Sequence, residues 1–284
     1  MTQRILITGA SGTVGSAVVQ ALEARNIAFS IMRSHPGQTG GKHPVVIGDY
    51  NQPGTLREAF QGFDVVFLLQ PLVPELVEQG KNAIAAAKAA GVKHVIRSSG
   101  AGADPASPFA IAQVHGAVDQ ALQDSGLHWT ILRPTFYMQN HVTHNLGQLK
   151  GGAYYAAQGD GAIALIDVRD IADSVAAVLA DLPAHDGKIY NLTGGEALSN
   201  AQQVRAISEA SGKAIQYVDI PPAAAEQSMS QYGIPPTVIQ WLLSLHAVVK
   251  AGYAAGVSGD VQMLTGHAPR SYADFVREHA AVWK

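Results

Sequence analysis

The 284-residue chain contains no cysteine. That excludes disulfides, thiolate metal sites and a cysteine nucleophile. Charge is also scarce: charged residues make up 14% of the chain, the formal net charge is −3, and no block of lysine and arginine is present. A protein that neutralises phosphates in series needs such a block, so nucleic acid is not an expected partner. No apolar run reaches the ~18 residues of a membrane-spanning helix. The N-terminus enters a strand pattern without a basic region or a cleavable apolar segment, so a cytoplasmic location is expected. Internal repeats, low-complexity linkers and a Gly-x-Ser-x-Gly nucleophile elbow are likewise missing. Hydrophobic residues at 47% suit an ordinary globular protein, large enough for one α/β domain or one and a half.

What is present starts at the N-terminus. Arg4 to Thr8 reads as a short buried strand that runs into Gly9-Ala10-Ser11-Gly12-Thr13-Val14-Gly15 and then a helical pattern. Strand, glycine-rich turn and helix are the parts of a dinucleotide-phosphate cradle. Gly9 allows the tight turn, Gly12 lets the backbone approach a pyrophosphate, and Gly15 lets helix and strand pack closely. The helix N-terminus offers free N–H groups and partial positive charge. Ser11 reads as a phosphate contact, with Thr13 and Val14 beside it.

Strands and helices then alternate. Helices are expected at Val14–Ala24, Thr55–Phe60, Glu75–Ala90 and Gln113–Asp124. Strands are expected at Ile27–Met32, Val45–Ile47, Val65–Leu69, Val92–Arg97 and Trp129–Leu132. Short apolar strands between such helices imply parallel βαβ units, hence an α/β, doubly wound Rossmann sheet over residues 1–150, completed by 163–192. Further on, helices are expected at Val168–Asp181, Ala201–Ser211 and Thr237–Lys250, and strands at Gly187–Leu192 and Ile215–Ile220. Residues 193–284 read as a small, mainly helical C-terminal α/β cap for substrate. The apolar stripe from Val238 to Val249 suits a core face or a subunit contact, so a homodimer stays open. Gln38 to Lys42 reads as a flexible turn.

The end of the second strand decides between cofactors. A site for unphosphorylated cofactor places Asp or Glu there, to bind the ribose 2′-OH. This chain has Arg33, whose guanidinium can pair with a 2′-phosphate in two-point geometry. NADPH is therefore expected over NADH; the plain alternative is a solvated surface arginine. Asp49 and Tyr50 follow the third strand, on the adenine side. Leu69 and Gln70 follow the fourth and Ser98 and Ser99 the fifth, all at carboxyl ends of strands.

Gly9-x-x-Gly12-x-x-Gly15 with Arg33 resembles the NmrA-like group of atypical short-chain dehydrogenase/reductases. So do Gly48-Asp49-Tyr50-Asn51-Gln52-Pro53, Ala90-Gly91-Val92-Lys93-His94, Ile131-Leu132-Arg133-Pro134, Asp167 to Ala172, Tyr190-Asn191-Leu192, and Leu264-Thr265-Gly266 with Phe275. The resemblance covers essentially the whole chain and is nearest to NADPH-dependent quinone oxidoreductases and triphenylmethane-dye reductases. The group also holds NADP-sensing regulators without catalysis, so membership alone does not assign activity.

Ordinary members of the superfamily use a Tyr-x-x-x-Lys pair on the helix after the fifth strand. Here those positions correspond to Ile111 and His115, and the pair occurs nowhere in the chain. A ketone that receives hydride becomes a strongly basic alkoxide and needs a proton donor, which Ile111 cannot be. A quinone gives a delocalised phenolate that can take its proton from water, and a triarylmethane cation needs none. Such acceptors need mainly positioning against the nicotinamide. The resemblance therefore implies hydride transfer from NADPH to a small-molecule acceptor, a quinone or similar flat electron-poor compound. The alternatives are a non-catalytic NADP(H) sensor and a reductase of an enone-type metabolite.

His115 is the remaining candidate on that helix. It could donate to a quinone oxygen or to the ribose, oriented by Asp119 one turn later; otherwise it is a helix histidine without a chemical role. The resemblance supports a site role, because the similar quinone reductases carry His there too. Pro134, Phe136 and Tyr137 belong to a segment that borders nicotinamide and substrate in the family. Phe136 and Tyr137 could form an apolar slot for a flat ring, with core packing the alternative for one of them. Trp241 and Tyr232 are weaker candidates for an outer wall. His141 and His144 could share a helix face, but no third ligand is suggested, so no metal is expected.

Overall fold

The structure, a computed structural model, describes residues 3–37 and 41–284. Of the turn expected at 38–42, residues 38–40 lie outside the described residues. The chain opens with β1 (Ile5–Ile7), α1 (Thr13–Ala24), β2 (Ser30–Arg33), β3 (Val45–Ile47), α2 (Pro53–Phe60), β4 (Val65–Leu68) and α3 (Leu76–Ala89). It continues through β5 (His94–Ser98), α4 (Ala110–Gln123), β6 (His128–Pro134), α5 (Leu146–Lys150), β7 (Ala153–Ala156) and β8 (Ala162–Ile163). Then come α6 (Val168–Ala180), α7 (Leu182–His185), β9 (Lys188–Leu192), β10 (Leu198–Ser199), α8 (Asn200–Ser211) and β11 (Gln216–Asp219). Four helices close the chain: α9 (Pro222–Gln231), α10 (Pro236–Lys250), α11 (Asp260–Thr265) and α12 (Tyr272–His279).

Seven strands form one sheet in the order β3-β2-β1-β4-β5-β6-β9. The pairs between β3 and β6 are parallel, with Ile7 opposite Ile31 on one side and Phe67 on the other. At the far edge, Gly187 N–H donates to the Trp129 carbonyl (2.8 Å) and Thr135 N–H to the Leu192 carbonyl (3.0 Å). Partners rising together along both strands make β9 parallel to β6 as well. The doubly wound Rossmann expectation holds. Parallel strands with helices on their faces are buried on both sides, and β1, β4 and β5 are buried throughout.

The largest late start is that of β2. Ile27 to Phe29 carry strand-forming side chains, yet β2 begins at Ser30. The reason is the end of α1: Asn26 turns to φ 55°, and the Ile27 N–H donates back to the Leu22 carbonyl at 3.0 Å. Helix termination takes the donor that a strand would need.

Two compact units emerge. The first comprises Met1–Ser107, Ala112–Arg133 and Ile171–Tyr190; the second Pro108–Ile111, Pro134–Asp170 and Asn191–Lys284. Residues 134–150, which the sequence suggested for the Rossmann part, are thus in the second unit, as is all of 163–170. That unit has its own core, with Leu149, Ile207, Val249, Tyr272, Phe275 and Trp283 buried. Its α8 starts at a reciprocal cap between Ser199 and Gln202. Val238, Ile239, Trp241 and Val249 of α10 are buried, so much of the apolar stripe is a core face. Among the described residues no helix is long and apolar enough to cross a membrane.

Candidate active site

The turn after β1 is built by its glycines in three different ways. Gly9 has φ +64°, a conformation that L side chains rarely adopt, and an added Cβ would press on Leu69 at 3.0 Å. At Gly15 a Cβ would stand 2.1 Å from the Gly9 carbonyl oxygen, so α1 can approach the turn only without a side chain there. Gly12 is different: it is exposed, and a Cβ would meet nothing nearer than 3.5 Å. Nothing inside the protein requires glycine at that position. Gly12 is the N-cap of α1 and supplies no side-chain cap, and its own N–H is taken by the Gly9 carbonyl at 3.0 Å. The first-turn N–H groups of α1 therefore face outward with the helix dipole behind them and no acidic side chain in the turn. Ser11 is exposed, Thr13 half-buried and Val14 buried.

Hydroxyl groups stitch the strand ends beneath this turn. Thr8 is fully buried. Its Oγ1 lies 3.0 Å from the Phe67 carbonyl and accepts from the Leu69 N–H at 2.9 Å. Tyr50 reaches inward, its hydroxyl 2.8 Å from Thr8 Oγ1 and 3.0 Å from the Leu69 carbonyl. Burial raises the Tyr50 pKa well above the ordinary tyrosine range. Thus the Tyr50 hydroxyl braces the frame. The Asp49 carboxylate is likewise occupied locally, accepting from the Asn51 N–H (2.9 Å) and Gln52 Nε2 (3.2 Å). Gln70 donates to the Leu76 carbonyl at 2.9 Å, at the start of α3.

Arg33 is the last residue of β2 and half-buried. Among the described residues no carboxylate pairs with its guanidinium. Ser98 and Ser99 stand at the carboxyl end of β5, both buried. The Ser99 N–H donates to the Leu132 carbonyl at 2.7 Å, while its Oγ has no partner among the described residues.

His115 is on α4 as expected, but its surroundings correct the sequence reading. Asp119 does not orient it. The Asp119 carboxylate is held by Arg97 Nη1 at 2.6 Å and by Arg133 through Nε (3.0 Å) and Nη2 (2.8 Å). Arg97 and Asp119 are almost wholly buried and Arg133 mostly so. The imidazole lies over Gly100, where an added Cβ would be 3.2 Å from its Cδ2. Its Nδ1 is buried with no partner among the described residues. Burial, reinforced by the positive charges of Arg97 and Arg133, pushes the His115 pKa down to about 3. The ring is neutral at pH 7, able to share a hydrogen bond but not to act as a cationic acid.

In the second unit, Phe136 packs against that unit's own core, the outcome expected for one of the two aromatics. Pro134 is buried. Tyr137 is half-buried in a bridge to Ile166, and burial pushes its hydroxyl up to about 12, making it a weak acid. Trp241 is buried and Tyr232 exposed. His141 is buried with its Nδ1 3.2 Å from the Tyr272 hydroxyl, whereas His144 is exposed, so the two imidazoles do not converge.

The Arg97–Asp119–Arg133 cluster was missed at the level of sequence, though a signal existed. An arginine inside a buried apolar strand must find a carboxylate. Asp119 is the acidic residue that the inward face of α4 supplies.

A glycine turn leading from the central strand of a parallel 3-2-1-4-5-6 sheet into a helix defines a dinucleotide-binding fold. Within that class the chain belongs to the NmrA-like family, which matches residues 1–261. It is 36% identical over 283 residues to an NAD(P)H azoreductase of Xenophilus azovorans, covering 98% of this chain and 99% of the relative. It is similar to the structure of an NADPH-dependent quinone oxidoreductase of Escherichia coli complexed with NADPH (TM-score 0.86, 29% identity, 96% and 99% of the two chains). It also resembles a triphenylmethane reductase of Citrobacter (TM-score 0.85, 26% identity, 98% and 99% of the two chains).

Proposed function

We propose that the chain is an NADPH-dependent oxidoreductase that passes hydride to a quinone or similar flat, electron-poor acceptor. The observation that carries this choice of acceptor is the lack of an acid on the helix that normally supplies one. Ile111 is apolar and buried, and His115 is held neutral. An alkoxide would need a proton donor that neither of these two helix positions supplies as a cationic or phenolic acid; a quinone-derived phenolate can be protonated by water. The azoreductase, quinone oxidoreductase and triphenylmethane reductase relatives support the same class of reaction.

NADPH fits the residues present. Gly12 leaves the space of a side chain open and lets the pyrophosphate approach the backbone, with Ser11, Thr13, Val14 and Gly15 around it. Arg33 takes the 2′-phosphate. Leu69, Ser98 and Ser99 lie along the strand ends where such folds hold the cofactor's middle and nicotinamide ribose. The cofactor supplies the hydride; the protein binds, orients and excludes water. The test is loss of NADPH absorbance with purified protein and a panel of quinones. Enzyme-dependent loss is expected. Tight NADPH binding without turnover of any acceptor would replace this function with that of an NADP(H)-binding sensor.

A further inference from the structure

The buried charges beside His115 do not balance. Two guanidiniums share one carboxylate, so the Arg97–Asp119–Arg133 cluster carries one positive charge in excess. Burying ions is costly unless their geometry and partners compensate, and here Arg97 Nε has no partner among the described residues. The position is specific: Arg97 is the penultimate residue of β5 and Arg133 of β6. Both lie at the carboxyl ends of the strands, the ligand end of an open α/β sheet. In a low-dielectric surrounding an unneutralised charge acts over several ångströms.

We propose that this excess charge makes the protein selective for neutral acceptors that become anions on receiving hydride. The inference rests on the hydride-transfer function proposed above. A quinone accepts hydride, with its two electrons, from the reduced nicotinamide, and NADPH becomes NADP⁺. The hydroquinone monoanion so formed then takes one proton from water. The charge that develops on oxygen is stabilised by the positive field of the cluster. A triarylmethane cation accepts the same hydride and becomes neutral. It enters against the cluster's field and gains nothing from it in the transition state. Among the described residues no carboxylate other than Asp119 pairs with Arg97 or Arg133. On α4 itself the acidic neighbour is Asp119, already shared by both arginines. From the preceding loop, Asp104 packs its backbone on Gly116, but its carboxylate accepts from the Ala106 N–H and the residue is exposed.

The experiment compares kcat/KM for a neutral quinone and a cationic triarylmethane dye in wild type, Arg133→Gln and Arg133→Lys. Arg133 is chosen because it is the most exposed member of the cluster. Arg133→Gln is expected to lower quinone kcat/KM about tenfold, mainly through kcat, while dye turnover holds or rises; Arg133→Lys retains the wild-type preference. Equal losses for both acceptors, or no change for either, would overturn the proposal. A second measurement needs no variant. In wild type, a flat phenolate inhibitor should compete about tenfold more strongly than a cationic analogue of the same shape, and the reverse order would also overturn it. Failure of the underlying function looks different: wild type would bind NADPH and oxidise it with neither acceptor.

Discussion

The glycine turn and the charged cluster beside His115 stand at the same ends of the same parallel sheet, yet they are built by opposite means. The turn contains no titratable side chain. Its shape comes from backbone hydrogen bonds, a positive φ at Gly9 and the absence of a Cβ at Gly15. The cluster is held by charge in a buried environment, where each ion depends on its neighbours and on very little solvent. Local steric rules write the first into a short stretch of sequence. Residues 22 and 36 positions apart, on β5, α4 and β6, create the second. One region tolerates changes of pH and fails on added volume; the other should show the reverse.

Removing the shared carboxylate tests the difference most severely. Asp119→Ala leaves Arg97 buried without its counter-ion and should cost about 3–5 kcal/mol in a denaturant melt. Adding volume to the turn comes next. Gly15→Ala forces a Cβ to within 2.1 Å of the Gly9 carbonyl oxygen and should destabilise by about 3 kcal/mol while abolishing NADPH binding. Acid should act on the histidine side alone. Burial and the neighbouring arginines hold the folded His115 pKa down to about 3, against the ordinary imidazole value of 6.5, so below pH 6.5 the unfolded chain takes up a proton that the folded chain refuses. Its stabilising contribution is present above pH 6.5 and is lost as pH falls towards 3. Between pH 7 and 5 that loss is about 2 kcal/mol, from 1.36 kcal/mol per pKa unit. His115→Asn should flatten the pH dependence of stability by that amount. A smaller effect is expected at the edge of the cradle. Arg33→Glu should weaken NADPH binding at least tenfold, about 1.4 kcal/mol, and leave NADH binding nearly unchanged; equal losses would remove Arg33 from cofactor selection. The smallest stability change belongs to Gly12→Ala, within about 0.5 kcal/mol. Its affinity for NADPH should nevertheless fall, which separates a glycine kept for ligand approach from Gly15, kept for packing.

The alternation of apolar strands and helices made the first unit legible almost element by element, because its central strands β1, β4 and β5 are buried on both faces. Boundaries moved by a few residues at several elements, as at Ile27, where a local bond intervened, and at α4, which begins at Ala110. The second unit was harder to read. Its β7 and β11 pair in parallel as a two-stranded sheet, with Tyr154 opposite Tyr217, and such short strands carry little pattern of their own. The glycine turn after β1 and the position of Arg33 at the end of β2 could be read because they are set by local sequence. The partner of Asp119 could not: sequence places His115 one helical turn away, but a buried carboxylate follows the strongest available charge, and two arginines outcompete a histidine. Tyr50 illustrates the same limit. Its position after the third strand was readable, while the inward course of its hydroxyl depends on Thr8 and Leu69, just past the ends of β1 and β4.

The Thr8–Tyr50–Leu69 knot has a consequence for how cofactor and fold are linked. Because the strand ends under the turn are already tied together, loading the cradle requires little ordering of the chain, and association can proceed with little conformational entropy lost. NADPH should then raise the melting temperature only by mass action, following RT ln(1 + [L]/Kd). Amides of the turn's supporting strands should be as slow to exchange with deuterium in the empty protein as in the loaded one. Cofactor turnover can be rapid in such a scaffold, since releasing NADP⁺ leaves the cradle intact for the next NADPH.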